Sequence, residues 1–374
     1  MKRKNPFLIS GYDSPEYFCD REKETATILS ALNNGRNVTL VSPRRMGKTG
    51  LIKHVFYQLN HTSPDVVALY MDIYPTQSLG DFVRLFASTV LGQLDSVPQK
   101  ALARVTQFIK SCRPVFTFDE LSGMPKASID ISPADEEPTL KEIFEYLRSS
   151  DKRCYIAIDE FQQITEYPEK NIEALLRSYM QFLPNVNFIF AGSRQHVMQE
   201  MFLSAKRPFY QSTQILEIGR IDIDNYYDFA AGFFEKSEII FERSAFEYMY
   251  NRFDGHTWYI QSILNRLYGN SACPDTNAID EAVQEVVSES AYAYENLLTA
   301  YPNNCVRVLR AIAKDGCVKE ILSGDFISRH KLKAASSVSG AVKKLVNNEM
   351  IYKTAAGYIV YDRFLNEWLR GQAF

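Results

Sequence analysis

No Cys-x-x-Cys pair occurs in this chain and no histidine stands at metal-ligand spacing. The cysteines (Cys19, Cys112, Cys154, Cys273, Cys305 and Cys317) are scattered. A zinc site or a disulfide framework is therefore not expected, and a reducing compartment fits. No apolar run approaches the ~20 residues that a membrane-spanning helix needs. The basic start Met1-Lys-Arg-Lys leads into Asn-Pro-Phe-Leu-Ile, an apolar stretch far too short for a signal peptide, so no membrane partner and a cytoplasmic location are expected. No internal repeat is visible, which argues against a repeat architecture. A strong overall charge is also missing: the net is −3 over 374 residues. That small sum hides an asymmetry. Residues 301–374 carry 12 Lys+Arg against 6 Asp+Glu, leaving 30 against 39 for the rest. A basic C-terminal module on an acidic body raises the question of nucleic acid.

What the chain does contain is the stretch Asn37-Val-Thr-Leu-Val-Ser-Pro-Arg-Arg-Met-Gly-Lys-Thr-Gly50. The run Val38, Leu40, Val41 predicts a buried strand that breaks at Ser42-Pro43, crosses a short basic loop and re-forms as a helix from Lys48. A helix start of this kind directs unpaired backbone N–H groups and a positive dipole end at phosphate oxygens. Lys48 is expected at the β- and γ-phosphates of a nucleotide, and the Thr49 hydroxyl on Mg²⁺. The segment Ser42, Pro43, Arg44, Arg45, Met46, Gly47, Lys48, Thr49, Gly50 is thus the candidate nucleotide loop. Its pattern departs from G-x-x-x-x-G-K-[ST] at the first position, where Ser42 tolerates φ > 0 less readily than glycine.

The length suggests two or three domains. Asp20 is read as the N-cap of a first helix that stops near Gly35. Tyr17 and Phe18 either pack beside an adenine ring or staple the lead-in to the core. Strands are expected at 66–72, 153–158, 186–191 and 215–218, alternating with helices, which implies a parallel sheet with ligands at its C-terminal edge. A further helix or two should follow residue 94. The segment from about 113 to 138, rich in Pro, Gly, Ser and acid, reads as an inserted, solvated acidic loop. From Asp222 the pattern is helical. After Tyr301-Pro302 three helices precede Met350–Lys353 and Tyr358–Tyr361, which bracket Thr-Ala-Ala-Gly357 as a hairpin, and a last helix closes the chain. Three helices and a two-stranded wing make a winged helix-turn-helix pattern. The expected fold is α/β: a P-loop NTPase core over 1–220, a helical lid over 221–300 and a winged helix over 301–374.

Asp159 and Glu160 end a buried strand on the edge where the phosphate loop is expected. Asp159 would hold Mg²⁺ with Thr49, and Glu160 would deprotonate the attacking water. Ser193, ending another strand, either senses the γ-phosphate or caps a helix. Phosphoryl transfer calls for an arginine in cis or trans, and Arg194, Arg207 and Arg220 are the candidates. On the winged helix, Lys343, Lys344 and Lys353 are the candidate contacts to duplex DNA.

The runs Phe18-Cys-Asp-Arg-Glu-Lys-Glu24, Ser42-Pro-Arg-Arg-Met-Gly-Lys-Thr-Gly-Leu-Ile52, Ile156-Ala-Ile-Asp-Glu-Phe161 and Phe190-Ala-Gly-Ser193 resemble archaeal-type ATPases of the AAA+/STAND group. Ser42 is a habit of such phosphate loops. The likeness reaches Phe253-Asp-Gly-His-Thr-Trp-Tyr-Ile-Gln261, where the family tends to have proline at the position of Thr257. It implies ATP or ADP as ligand with Mg²⁺, hydrolysis of ATP and a nucleotide contact from His256; Phe18 and Arg21 are further candidate nucleotide contacts, and a further copy of the chain is a candidate partner. Archaeal origin-recognition ATPases share the architecture and supply the analogy to DNA. Three functions compete: an ATPase whose cycle changes how the winged helix engages DNA, a slow ADP/ATP-gated signalling or protein-interaction switch without DNA, and an ATP-binding protein with negligible turnover.

Overall fold

In a computed structural model of the chain, residues 5–94, 110–111, 113–118, 125–270 and 273–372 are described. They form two compact units: one is Ser10–Tyr226, and the other joins the N-terminal segment through Ile9 to Tyr227–Phe374.

The first unit is built on strands β1 (Val38–Val41) and β2 (Val66–Asp72), a hairpin β3 (Arg113–Phe118) and β4 (Pro125–Asp130), then β5 (Arg153–Asp159), β6 (Val186–Gly192) and β7 (Gln214–Glu217). Five of these make one parallel sheet in the order β2-β5-β6-β1-β7. The chain leaves β1 for the far edge, returns through β5 and β6, and closes with β7 on the other side of β1. Such a reversal beside β1 leaves a crevice at the carboxyl ends of the strands.

Both faces of the sheet are covered, which is why its strands read as nearly unbroken apolar runs. Successive side chains alternate between faces. Tyr155, Ala157, Ile189 and Ala191 meet helices α1 (Glu22–Asn33) and α2 (Lys48–Thr62). Ile156, Ile158, Phe188 and Phe190 meet α3 (Leu79–Gln93), α4 (Glu136–Arg148), α5 (Ile172–Met180) and α6 (Gln195–Leu203).

Two expectations are corrected in this unit. Asp20 does not cap the first helix: Asp20 (φ 57°) and Arg21 (φ 79°) are both left-handed, and Arg21 holds the cap position. The segment 113–138 is not a plain loop. It contains the antiparallel β3–β4 hairpin, with Arg113 paired to Asp130 and Phe118 to Pro125, and its end forms the first turn of α4. Proline is accommodated there because the first-turn N–H groups have no helical partner. Residues 95–109, where a further helix or two is expected, lie outside the described residues.

Beyond Tyr226, the second unit holds the remainder of helix α7 (Ile223–Glu235), then α8 (Arg243–Arg252), α9 (Thr257–Asn270) and α10 (Thr276–Thr299), followed by α11 (Asn303–Asp315), α12 (Gly324–Arg329), α13 (Ala335–Asn347), the hairpin β8 (Ile351–Lys353) and β9 (Tyr358–Val360), and α14 (Arg363–Gly371). Phe7 is buried in an aromatic cage of Phe229, Phe233, Phe234 and Tyr268. The wing gains a third member through a bridge between Val318 and Tyr358. Gly357 is needed in that turn: its φ is 151°, and an added Cβ would lie 2.6 Å from the Val318 carbonyl. Gly357→Ala is expected to lower stability by about 1–3 kcal/mol in chemical denaturation, because backbone rather than a flexible side chain must yield.

Candidate nucleotide site

The carboxyl ends of all five strands of the parallel sheet lie along one edge. Val41 is in register with Gly192 and Glu217, and Asp72 with Asp159. From β1 the chain turns through a loop with Arg45 at φ 66° and Gly47 at φ 89° before α2 starts at Lys48. Glycine meets the second of these freely, whereas Arg45 is a non-glycine residue in a sparsely populated conformation of the kind that clusters at ligand sites. Ser42 is not among the residues with positive φ and is fully buried, so serine fits where the motif ordinarily has glycine.

The Lys48 ammonium is buried and curled under the loop. It donates to Ser42 Oγ (3.0 Å), the Ser42 carbonyl (3.2 Å) and the Pro43 carbonyl (3.1 Å). Neutral oxygens are weaker partners for an ammonium than phosphate oxygens, so an arriving phosphate can displace them.

One residue on, Thr49 Oγ1 donates to Asp159 Oδ2 at 2.6 Å. This contact brings the start of α2 and the end of β5 to a single point. With its proton given to Asp159, the Thr49 hydroxyl keeps its lone pairs for a cation. Tyr70, from β2, donates to the same Asp159 oxygen at 3.0 Å, and the Glu160 N–H donates to Oδ1 at 3.0 Å. Burial, with the Asp159 charge beside it, pushes the Tyr70 phenol well above its ordinary range, so it stays a donor. Asp72 ends β2 nearby, and burial followed by the charges of Asp159 and Glu160 raises its carboxyl. Among the described residues no group of three or more His, Cys, Asp or Glu converges as a metal cage. A hydroxyl and one carboxylate suit Mg²⁺, which keeps waters and takes further ligands from phosphates.

Glu160 is left-handed (φ 55°) at the head of the 3-10 turn Phe161–Glu166. Its Oε2 accepts from Ser193 Oγ at 2.7 Å and from Gln162 Nε2 at 2.5 Å. Arg44 Nε, from the phosphate loop, donates to Ser193 Oγ at 3.1 Å. A continuous hydrogen-bonded line therefore runs from the loop to Glu160. The Ser193 hydroxyl does not cap α6, whose cap residue Arg194 makes no capping bond.

The other expected contacts fall in different places. Phe18 stacks on His54 of α2 at 4.4 Å and lies 3.4 Å from where a Cβ on Gly50 would stand, so it packs against the first turns of the loop helix. Arg21 is buried, with its guanidinium divided between Glu24 and the Gly219 carbonyl, each at 2.6 Å. Arg207 pairs with Glu173 (2.5 Å) and Glu200 (3.5 Å), Arg194 pairs with Glu166 (2.6 Å), and Arg220 is exposed. His256 belongs to the second unit, buried beside Tyr259. Sequence reasoning did not single out Tyr70, Asp72 or Gln162. Their position depends on which strands neighbour β5 and on the shape of the turn after it, neither of which a local pattern encodes.

Comparison with known proteins agrees with this geometry. Residues 18–263 match the profile of an ATPase domain predominantly from Archaea, and residues 292–371 that of a probable winged helix domain. Among solved structures, a Walker-type ATPase of Pyrococcus abyssi is similar over 98% of this chain and 99% of its own, with 18% identity and a TM-score of 0.66. The ORC2 protein of Aeropyrum pernix, solved as ADPNP–ADP complexes, is similar over 98% of this chain and 96% of its own, with 14% identity and a TM-score of 0.62. At such identities the likeness establishes the fold. No curated protein sequence matches the chain. The phosphate loop, the acid-ended strand beside it and a profile match across most of the chain together assign it to the archaeal ATPase domain family, with a winged helix domain at its C-terminal end.

Proposed function

We propose that the chain binds ATP with Mg²⁺, hydrolyses it, and uses the change to alter the engagement of its winged helix with duplex DNA. The observation that carries the reading is the 2.6 Å bond from Thr49 to Asp159, which joins a phosphate loop and a carboxylate at one strand edge. Lys48, the loop N–H groups and Arg44 bind the phosphates. Thr49 and Asp159 would hold the cation. When bound, Mg²⁺ neutralises the charge that gathers on the transferred phosphoryl oxygens. Glu160 takes the proton of the attacking water, and Ser193 steadies its carboxylate. Arg207 or Arg220 supplies the remaining positive charge, from the same chain or from a neighbouring copy in an oligomer. Steady-state hydrolysis of ATP by the full chain, with Glu160→Gln as control, tests this. Absence of phosphate release overturns the enzymatic part, and absence of adenine-nucleotide uptake in calorimetry overturns the site.

For the winged helix, the support is the exposed face of α13. Val338, Ala341, Val342 and Leu345 are buried, leaving Ser336, Ser339, Lys343, Lys344 and Asn347 toward solvent, with Lys353 exposed on β8. Small polar residues and lysines on a helix free of bulky side chains suit a groove. Replacing Lys343 and Lys344 by Glu is expected to weaken duplex binding at least tenfold and to flatten the plot of log affinity against log salt by roughly two. A gel shift over a salt series measures both. Binding that ignores the substitutions and the salt rules out groove reading, and no binding at all leaves the ATP-gated switch without DNA.

A further inference from the structure

Gln162 is a buried residue bonded to the proposed base, and no motif in the sequence points to it. It lies in the 3-10 turn after β5, is 3% exposed, and gives its amide N–H to Glu160 Oε2 at 2.5 Å. Its own Oε1 is buried and accepts no hydrogen bond from the described residues. A buried amide carbonyl without a donor costs on the order of 1–3 kcal/mol, so stability alone does not favour glutamine here. Space for the amide comes from the neighbouring strand end. A Cβ on Gly192 would stand 2.2 Å from Gln162 Oε1 and 2.5 Å from Met198 Sδ. Glycine before Ser193 therefore keeps the Gln162 amide seated against Glu160.

Both donors to the Glu160 side chain, Ser193 and Gln162, meet on Oε2. Among the described residues no donor reaches Oε1. One oxygen is pinned from two directions and the other is left to receive a proton.

We propose that Gln162, seated by Gly192, is a positioning residue for ATP hydrolysis: it fixes Glu160 so that Oε1 faces the attacking water. The inference rests on the reading of Glu160 as the base. A carboxylate free to rotate spends less time in the reactive orientation, and small misplacements of reacting groups are costly.

Gln162→Met keeps the side chain's length and removes both the donor and the unpartnered acceptor. It is expected to lower kcat roughly tenfold, with KM for ATP and calorimetric affinity for ADP within about twofold and the melting temperature unchanged or higher. Gly192→Ala attacks the same bond from the other side and is expected to lower kcat in the same direction. The deciding measurement is a double-mutant cycle: in a Glu160→Gln background, Gln162→Met is expected to have no further effect, because it acts only through Glu160. Three results overturn the inference alone, given a Glu160→Gln variant that has lost turnover: kcat unchanged in Gln162→Met, an equal loss with and without Glu160, or a kcat loss that merely tracks a fall in melting temperature. Turnover that survives Glu160→Gln instead overturns the assignment of the base, and this inference with it.

Discussion

Glu160→Gln is expected to reduce ATP turnover by about 10²–10³-fold while leaving nucleotide affinity within about twofold. The substitution is nearly isosteric, and the hydrogen bonds around it can be rebuilt. Ser193 Oγ can accept as well as donate. Gln162 can turn its amide over so that its currently unpartnered Oε1 accepts from the new carboxamide. The fold around the 3-10 turn is thus retained, and only the capacity to take a proton is lost. Isothermal titration with ADP and with a non-hydrolysable ATP analogue, run beside phosphate release, separates the two effects. Lost binding would move Glu160 from the base role to a structural one, and a turnover loss below threefold would remove it from the chemistry.

The parts of this site that the sequence announces are those made within one stretch of chain. A strand-loop-helix ending in Gly47-Lys48-Thr49 has its geometry written in consecutive residues, and so has a buried strand ending in Asp159-Glu160. That Thr49 and Asp159 touch follows from both strands sharing one parallel sheet, because parallel strands end on the same edge. What could not be read is which residues flank them. Tyr70 reaches Asp159 because β2 is the direct neighbour of β5, although β1 and α2 separate those strands from the chain start in a way that several sheet orders would permit. Gln162 reaches back to Glu160 because Glu160 is left-handed, and nothing in a glutamate predicts that.

Two misreadings have similar causes. Asp20 carries a capping side chain, yet Asp20 and Arg21 both adopt αL, and the buried Arg21 guanidinium bridges Glu24 and the Gly219 carbonyl. Long-range contact outweighed a local propensity worth about 1 kcal/mol. In the 113–138 segment, Pro, Gly and acid suggested an irregular loop, but the strands of the hairpin begin beside those breakers, at Arg113 and at Pro125. Proline is tolerated at a strand's first residue or edge, so its presence did not exclude the hairpin.

The winged helix is joined to the helices before it chiefly through α14. Phe364 is 2% exposed and meets Tyr259, Phe253 and Trp258 at centroid distances of 5.0, 5.4 and 5.8 Å, edge to face. Charged contacts flank this cluster. Arg363 donates to Asp254 at 3.2 Å, and Arg252 bridges Glu367 (2.6 Å) and Asp280. The aromatic part dominates, since partly exposed ion pairs contribute little while a buried aromatic ring contributes several kcal/mol. Phe364→Ala is therefore expected to destabilise the second unit by about 3–5 kcal/mol. Phe364→Leu, which keeps most of the volume, should cost less than about 1.5 kcal/mol. Hydrogen exchange would locate the loss: protection should fall together in α14 and at the start of α9, leaving β1, β5 and β6 unchanged. If α14 carries the nucleotide state to the wing, Phe364→Ala should keep ATP turnover within about twofold, since it touches none of the groups that move protons or hold charge. Any difference in winged-helix proteolysis that the proposed nucleotide cycle produces between ATP and ADP should disappear in this variant. A nucleotide-dependent cleavage pattern that persists in this variant would place the coupling elsewhere in the chain.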